Sequence, residues 1–253
     1  MQGTNTYLVG TGPKRILLDT GEGKPKWIET LKKILSDESA SLDSVVISHW
    51  HPDHVGGIKD VKTLSPTPKV YKNHSHPSED DGILDIADGQ KFTVEGATLR
   101  AFHTPGHTTD HMAFVLEDED ALFTCDNILG HGTAVFEDLS AYLKSLDKMS
   151  KAVKGRGYPG HGVVIEDVQA KAKEYIAHRA QREREVINVM REAGKDGMTV
   201  MEMVKIIYKD VPENLHLPAS RGVLQILWKL QEEGKVTQDE EAEKWTLTDK
   251  ASL

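Results

Sequence analysis

One cysteine among 253 residues, Cys125, leaves no partner for a disulfide within the chain. A fold stapled by sulfur bridges is excluded, a reducing compartment is permitted, and any metal has to be carried by imidazole and carboxylate. Long apolar runs are also missing: no stretch of eighteen or more occurs, no cationic segment leads into an apolar one near Met1, and the mean hydropathy is −0.45. No membrane association is expected of such a chain. Basic charge is scarce, with 31 Lys and Arg against 40 Asp and Glu, a net charge of −9 and a pI near 5.7. That balance weighs against capture of nucleic acid chiefly through the overall field, and leaves room for a local basic face. The length is enough for one large domain and one small one, and spacing reveals no internal repeat.

Histidine, in contrast, is concentrated. His49-Trp50-His51-Pro52-Asp53-His54 packs three imidazoles and a carboxylate into six residues directly behind apolar Val45-Val46-Ile47. A lone histidine is most often a satisfied core or surface residue, but imidazole and carboxylate at this density are the donors that zinc and similar divalent ions accept. Val45 to Ile47 reads as a buried strand, so His49 and His51, two apart, leave it on one side and can share an ion. Asp53 and His54 follow the Pro52 turn and point elsewhere, which suggests a second ion beside the first. Three further segments each place one donor at a strand end, in a turn where Gly or Pro lets the backbone come close. Thr104-Pro105-Gly106-His107-Thr108 follows the alternating run Ala97 to Phe102, Phe123-Thr124-Cys125-Asp126 ends an apolar run, and Tyr158-Pro159-Gly160-His161-Gly162 precedes Val163-Val164-Ile165.

In this order the motifs resemble those of the metallo-β-lactamase superfamily. The resemblance implies an α/β fold, the αββα sandwich of two face-to-face sheets covered by helices, with the metals at one edge. It implies that His49, His51 and His107 hold one metal, that Asp53, His54 and His161 hold a second, and that Asp126 bridges them. Asp19, at the end of Ile16-Leu17-Leu18, matches an aspartate that orients a ligand imidazole through its other ring nitrogen. The implied cofactors are two Zn2+ ions, with other divalent metals as alternatives. The implied chemistry is hydrolysis by a hydroxide bridging the metals, with Asp53 and Asp126 aiming it. His111 and His131 are candidates for an acid or a substrate contact. The residue before the bridging aspartate is usually glycine or serine in the family; Cys125 stands there instead, and strand alternation turns it away from the metals as a buried small hydrophobe.

Further strands are expected at Thr4 to Val9, Arg15 to Asp19, Lys69 to Lys72, Lys91 to Glu95, Thr98 to His103, Ala113 to Leu116 and Ala121 to Thr124, with helices at Trp27 to Ser36 and Leu139 to Val153. The expected catalytic domain spans 1–167. Residues 168–253 read differently: a charged helix from Val168 to Glu192, a Thr199-capped helix to Tyr208, a helix begun at Pro218 and stopped by Gly234, and a strand pair around the acidic tip Gln238 to Glu243. That outline is a winged helix. Its second helix offers only Arg221, Lys229 and scattered polar groups, and an acidic tip repels phosphate, so a lid or dimerisation module is expected in preference to a nucleic-acid reader.

Gln2-Gly3-Thr4-Asn5-Thr6-Tyr7-Leu8-Val9, Thr104 to Met112, Asn127-Ile128-Leu129-Gly130 and the tail narrow the resemblance to a branch shared by the fungal atrochrysone carboxyl-ACP thioesterases and the lactamase-β-like protein 2 endoribonucleases. Gly130-His131-Gly132-Thr133-Ala134 and Leu215-His216-Leu217-Pro218-Ala219 look more like the thioesterases, which implies release of a polyketide acyl chain from the acyl carrier protein of a polyketide synthase. Single-stranded RNA is the alternative substrate and partner. A non-catalytic binding protein is a minor third reading. An intracellular, cytoplasmic setting is expected, mitochondrial under the ribonuclease reading, and the oligomeric state is left open. Relatives carry a further strand before Gln2, so an edge strand is expected to be missing here. The ligand reading predicts that His51→Ala loses both metal and turnover; two metals per chain by elemental analysis with normal turnover in that variant would refute it.

Overall fold

Alternation along two neighbouring strands explains how one sheet is covered on both faces. The computed structural model describes residues 3–75 and 82–252, so Gln2 lies outside it. Strands β1 (Tyr7–Val9) and β2 (Lys14–Leu18), helix α1 (Pro25–Asp37), strand β3 (Ser41–Ile47), helices α2 (Pro52–Val55) and α3 (Ile58–Val61), and strands β4 (Lys69–Lys72) and β5 (Ile83–Leu84) come first. They form a sheet of order β1-β2-β3-β4-β5, antiparallel at β1–β2 and parallel beyond. Ile16, Leu18 and Val46 face inward to Leu99, Ala101, Phe114 and Phe123 of the second sheet. Leu17, Val45 and Ile47, one residue out of phase, pack with Leu31 and Leu35 of α1 and with Ile58 and Val61 of α3. Each such side chain stabilises the fold by about 1.5–3 kcal/mol relative to exposure.

The second sheet contains β6 (Lys91–Val94), β7 (Ala97–His103), β8 (Met112–Leu116), β9 (Ala121–Cys125) and, after helix α4 (Leu139–Ser150), β10 (Gly157–Pro159). Its order is β10-β9-β8-β7-β6, with β10 parallel to β9 and the other pairs antiparallel. Helix α4 buries Tyr142, Leu146 and Met149 and meets the β7–β8 loop, where Ser145 Oγ donates to Pro105 O at 2.6 Å. Gly106 lets the helix come this close: its φ is +131°, and a Cβ there would overlap the Tyr142 backbone. The expected sandwich is therefore present, with helices on the outer sides of two facing sheets.

Helix α5 (Val168–Ala193) runs through the division between two compact units, Met1–Tyr175 and Ile176–Leu253. The second unit adds α6 (Val200–Ile207), α7 (His216–Glu232), β11 (Val236–Asp239) and β12 (Lys244–Leu247). The strands pair antiparallel, and Met198 bridges to buried Trp245 to extend them, as in a winged helix. Thr199 and Glu202 form a reciprocal capping box at the start of α6. Helix α7 starts two residues before Pro218, because a proline in the first turn lacks an N–H that had no partner there. Lys229 is held between Glu183 at 2.8 Å and Glu233 at 2.6 Å. Among the described residues, no helix is long and apolar enough to cross a membrane.

Two expectations from the sequence are corrected. Residues 4–6 are not strand, and Thr4 and Asn5 reach across to residues 53 and 159–162 instead. Val163 and Val164 are exposed and outside any strand, so His161 follows a strand, β10, and does not precede one. Asp53 and His54, expected to follow the Pro52 turn, sit on the single turn of α2.

The two sheets are tied together at one edge. Met112 N donates to Ser48 O at 2.8 Å, and Lys72, at the end of β4, pairs with Asp110 at 2.7 Å with both side chains buried. Thr108 Oγ1 donates to the other Asp110 oxygen at 2.7 Å. Asp110→Ala leaves a buried ammonium without its carboxylate, and the expected loss is about 3–5 kcal/mol. Urea unfolding measures it; a midpoint indistinguishable from the parent's would show the pair to be energetically idle.

Candidate metal centre

Seven donor side chains meet at that edge because five segments end there. β3 delivers His49 and His51, α2 carries Asp53 and His54, the β7–β8 loop holds His107, β9 runs into Asp126, and β10 into His161. His49, His51, His107 and Asp126 form one group and Asp53, His54 and His161 another, with one donor atom from each residue within 4.8 Å of the rest of its group. His49 Nε2 lies 3.0 Å from His51 Nδ1 and 3.2 Å from His107 Nε2, and His107 Nε2 lies 3.0 Å from His51 Nδ1. Asp126 stands between the groups: Oδ2 is 3.7 Å from His107 Nε2 and 3.2 Å from His161 Nε2, and Oδ1 is 3.4 Å from His54 Nε2. Asp53 Oδ2 is 3.3 Å from His161 Nε2 and 3.6 Å from His54 Nε2.

The second ring nitrogens explain why these atoms converge. His49 Nδ1 is 2.8 Å from Ser48 Oγ, which itself donates to Asp19 Oδ2 at 2.8 Å, so the imidazole is the donor of that pair. His54 Nδ1 lies 2.8 Å from the same Asp19 oxygen. His107 Nδ1 donates to Val135 O and His161 Nδ1 to Gly3 O, each at 2.8 Å. With the proton on Nδ1 in neutral His49 and His107, their Nε2 lone pairs face each other. His51 has one Nδ1 proton at most, so it cannot satisfy both. A cation can, and nitrogens held about 2.0–2.1 Å from zinc in a tetrahedron are about 3.3 Å apart, close to the separations here. Buried His54 Nε2 and Asp126 Oδ1 also have no hydrogen-bond partner. The donor set fits divalent metal, and its imidazole-rich character suits zinc.

Protonation of the His49, His51 and His107 group agrees with this, whereas that of His54 is governed by its carboxylate neighbours. Burial holds His49 well below the ordinary histidine pKa and also lowers His51 and His107, keeping lone pairs available. Burial opposes the charge on Asp126, but the His161 and His54 imidazoles outweigh it and hold the carboxyl well below its usual range. His54 also loses solvation by burial, yet Asp19 and Asp126 push it up to about 10.

The remaining predicted residues fall in different places. Asp19, at φ +59°, accepts from Ser48 N and Ser48 Oγ besides facing His54, so one carboxylate anchors two neighbouring imidazoles. His111 is buried beneath Asp126: Nε2 accepts from Asp126 N at 3.2 Å, and Nδ1 lies 2.9 Å from Thr104 Oγ1. Both nitrogens are engaged, so the geometry assigns it to holding the Asp126 backbone and not to proton donation. His131 is exposed on the loop after Gly130. Cys125 is buried in the core between the sheets, as expected of a small hydrophobe, although its φ of +46° breaks the regular strand alternation there. Reading the sequence missed Ser48, Thr4 and Asn127; the last donates to Thr104 O at 2.7 Å. Ser48 and Asn127 each adjoin a donor residue, a signal that could have flagged them.

Comparison with known proteins identifies the family. Residues 2–161 match the family model of the metallo-beta-lactamase superfamily, and residues 199–245 match the beta-lactamase associated winged helix domain. The chain is 45% identical over 245 residues to lactamase-like protein aptB of Emericella nidulans, covering 93% of this chain and 78% of that one. It is 48% identical over 244 residues to an atrochrysone carboxyl ACP thioesterase of Aspergillus chevalieri, with the same coverage of 93% and 78%. A beta-lactamase domain protein from Burkholderia ambifaria shares the fold, with a TM-score of 0.80 at 15% identity over 97% of this chain and 87% of that one.

Gly160 offers a test of how tightly the carboxylate is seated. A Cβ there would overlap Asp126 Oδ1 and come within 3.1 Å of His54 Cε1. Gly160→Ala is expected to lower metal content and turnover together while the far-UV spectrum stays native. Full metal content by elemental analysis would mean that the Asp126 carboxylate has room to move.

Proposed function

The chain belongs to the metallo-beta-lactamase superfamily and is a metal-dependent hydrolase; from that premise we propose that it binds two zinc ions and hydrolyses the thioester between a polyketide acyl chain and an acyl carrier protein. The observation that carries the two-ion reading is the convergence of donor atoms on both sides of Asp126: Nε2 of His49 and of His107 compete for a single His51 Nδ1 on one side, and buried Nε2 of His54 stands without a hydrogen-bond partner on the other. On this reading His49, His51 and His107 hold one ion, Asp53, His54 and His161 the other, and Asp126 serves both. When bound, such ions lower the pKa of water toward neutrality and stabilise negative charge on a carbonyl oxygen under attack. The chain's own part is to fix the donors. Asp19 and Ser48 orient His49 and His54, His111 supports the backbone of Asp126, and Asp53, whose carboxylate would accept a hydrogen bond from water, and Asp126, placed between the two groups, would together aim that water.

The substrate class rests on two supports. The thioesterase-named relative matches at 48% identity over 93% of this chain. The site chemistry agrees, because a thiol of pKa about 8.5 leaves as thiolate near neutral pH without a dedicated acid, and His111 has both nitrogens engaged. Presenting the purified chain with an acyl carrier protein thioester and with single-stranded RNA tests this directly. Release of carrier thiol is expected; RNA cleavage without thiol release would overturn the substrate assignment.

Asp126→Asn removes the negative charge between the two groups while keeping the side chain's volume. Turnover is expected to fall by about a hundredfold or more, with near-native far-UV circular dichroism. An active variant would remove Asp126 from its proposed place between the ions.

A further inference from the structure

The half of the site formed by Asp53, His54 and His161 is held by a segment the proposed chemistry does not use. Thr4 Oγ1 donates to Asp53 Oδ2 at 2.9 Å. Gly3 O accepts the Nδ1 proton of His161 at 2.8 Å. Asn5 clamps the loop around that histidine: its backbone N–H donates to Gly160 O at 2.8 Å, and its amide Nδ2 donates to Pro159 O at 3.0 Å and to Gly162 O at 2.9 Å. Tyr7 OH donates to Pro159 O at 2.7 Å. No comparable clamp is needed on the other side. There His49 and His51 extend from strand β3 and His107 Nδ1 rests on Val135 O at 2.8 Å, while within the strapped half His54 already sits on a helical turn with Nδ1 on buried Asp19. His161 lies between two glycines, the residue type with the least backbone constraint, so hydrogen bonds from outside its loop determine where the imidazole stands.

We infer that residues 3–7 form a strap that sets the affinity of one of the two metal positions, with Thr4 and Asn5 as positioning residues for Asp53 and His161. The inference rests on the reading that Asp53, His54 and His161 hold a divalent ion. The Thr4 hydroxyl occupies one lone pair of Asp53 Oδ2 and fixes the direction of the rest, and the Gly3 carbonyl keeps the His161 proton on Nδ1 and Nε2 bare. Groups that hold a ligand's far side in this way change metal affinity by about 10–100-fold when removed. The effect should be one-sided, because no strap atom touches His49, His51 or His107 among the hydrogen bonds described.

The test is zinc titration of metal-free full chain against a chromophoric chelator, for the parent and for Thr4→Val, Thr4→Ser and Asn5→Ala. The parent is expected to take up two equivalents. Thr4→Val, which keeps the side chain's size, is expected to lose about tenfold or more in one of the two affinities and to stay within about twofold in the other. Thr4→Ser should restore the lost affinity, and Asn5→Ala should weaken the same step. Both affinities unchanged in Thr4→Val, or both weakened alike, would overturn the strap while leaving the two-ion reading intact. Fewer than two equivalents bound by the parent would overturn the two-ion reading, and the strap with it.

Discussion

The placement of four imidazole protons governs this site. Each of His49, His54, His107 and His161 has its Nδ1 2.8 Å from an oxygen: Ser48 Oγ, Asp19 Oδ2, Val135 O and Gly3 O. An imidazole so held presents Nε2 in a fixed direction, and four rings fixed this way define where a cation sits before one arrives. Asp19 is the deepest of these anchors, because its carboxylate receives the Ser48 backbone and hydroxyl as well as His54. Losing it would release two rings together, on opposite sides of Asp126.

The sheets supply the precision that these bonds need. A donor cluster assembled from five segments would blur if the segments moved independently. The two layers are fastened at the same edge by the Met112 to Ser48 backbone bond and by the buried Lys72–Asp110 pair. A buried ion pair adds little net stability compared with apolar packing, but breaking it is costly, so it works here as a register pin between β4 and the loop that carries His107. Thr108, next to His107, completes that link through its hydroxyl.

Much of this was legible in the sequence where side-chain chemistry carries the signal. Val45-Val46-Ile47 followed by His-x-His-x-Asp-His announced a buried strand ending in donors, the sandwich followed from the family resemblance of the motifs, and the winged-helix outline followed from caps and element order. The parts that were hidden depend on backbone atoms. The carbonyls of Val135 and Gly3 hold two of the rings, and any residue supplies a carbonyl. Periodicity also misled where an apolar run is too short to decide between strand and loop. Val163-Val164-Ile165 has strand composition, yet only Ile165 is buried and forms a bridge, to Gly157. Thr4 to Thr6 alternate like a strand edge, but their hydrogen bonds go to the His161 loop, the neighbouring carboxylate and, from Thr6, the Trp27 indole.

Dependence on backbone oxygens bears on how such a site survives sequence change. The Burkholderia ambifaria protein keeps the fold at 15% identity, which alternating apolar patterns allow, since cores accept many residues of similar volume. A site whose rings are oriented partly by carbonyls places few demands on the residues bearing them. The demands fall on the donor side chains, on Asp19 and Ser48, and on glycines such as Gly106 and Gly160 where a Cβ would intrude. Substrate preference is then free to vary in the exposed surroundings. In this chain the surroundings include Val135 and Val163, both 71% exposed, each close in sequence to a group that holds or is held by the site. In the second unit, Lys229 on α7 is already neutralised by Glu183 and Glu233, so it adds little attraction for RNA phosphate.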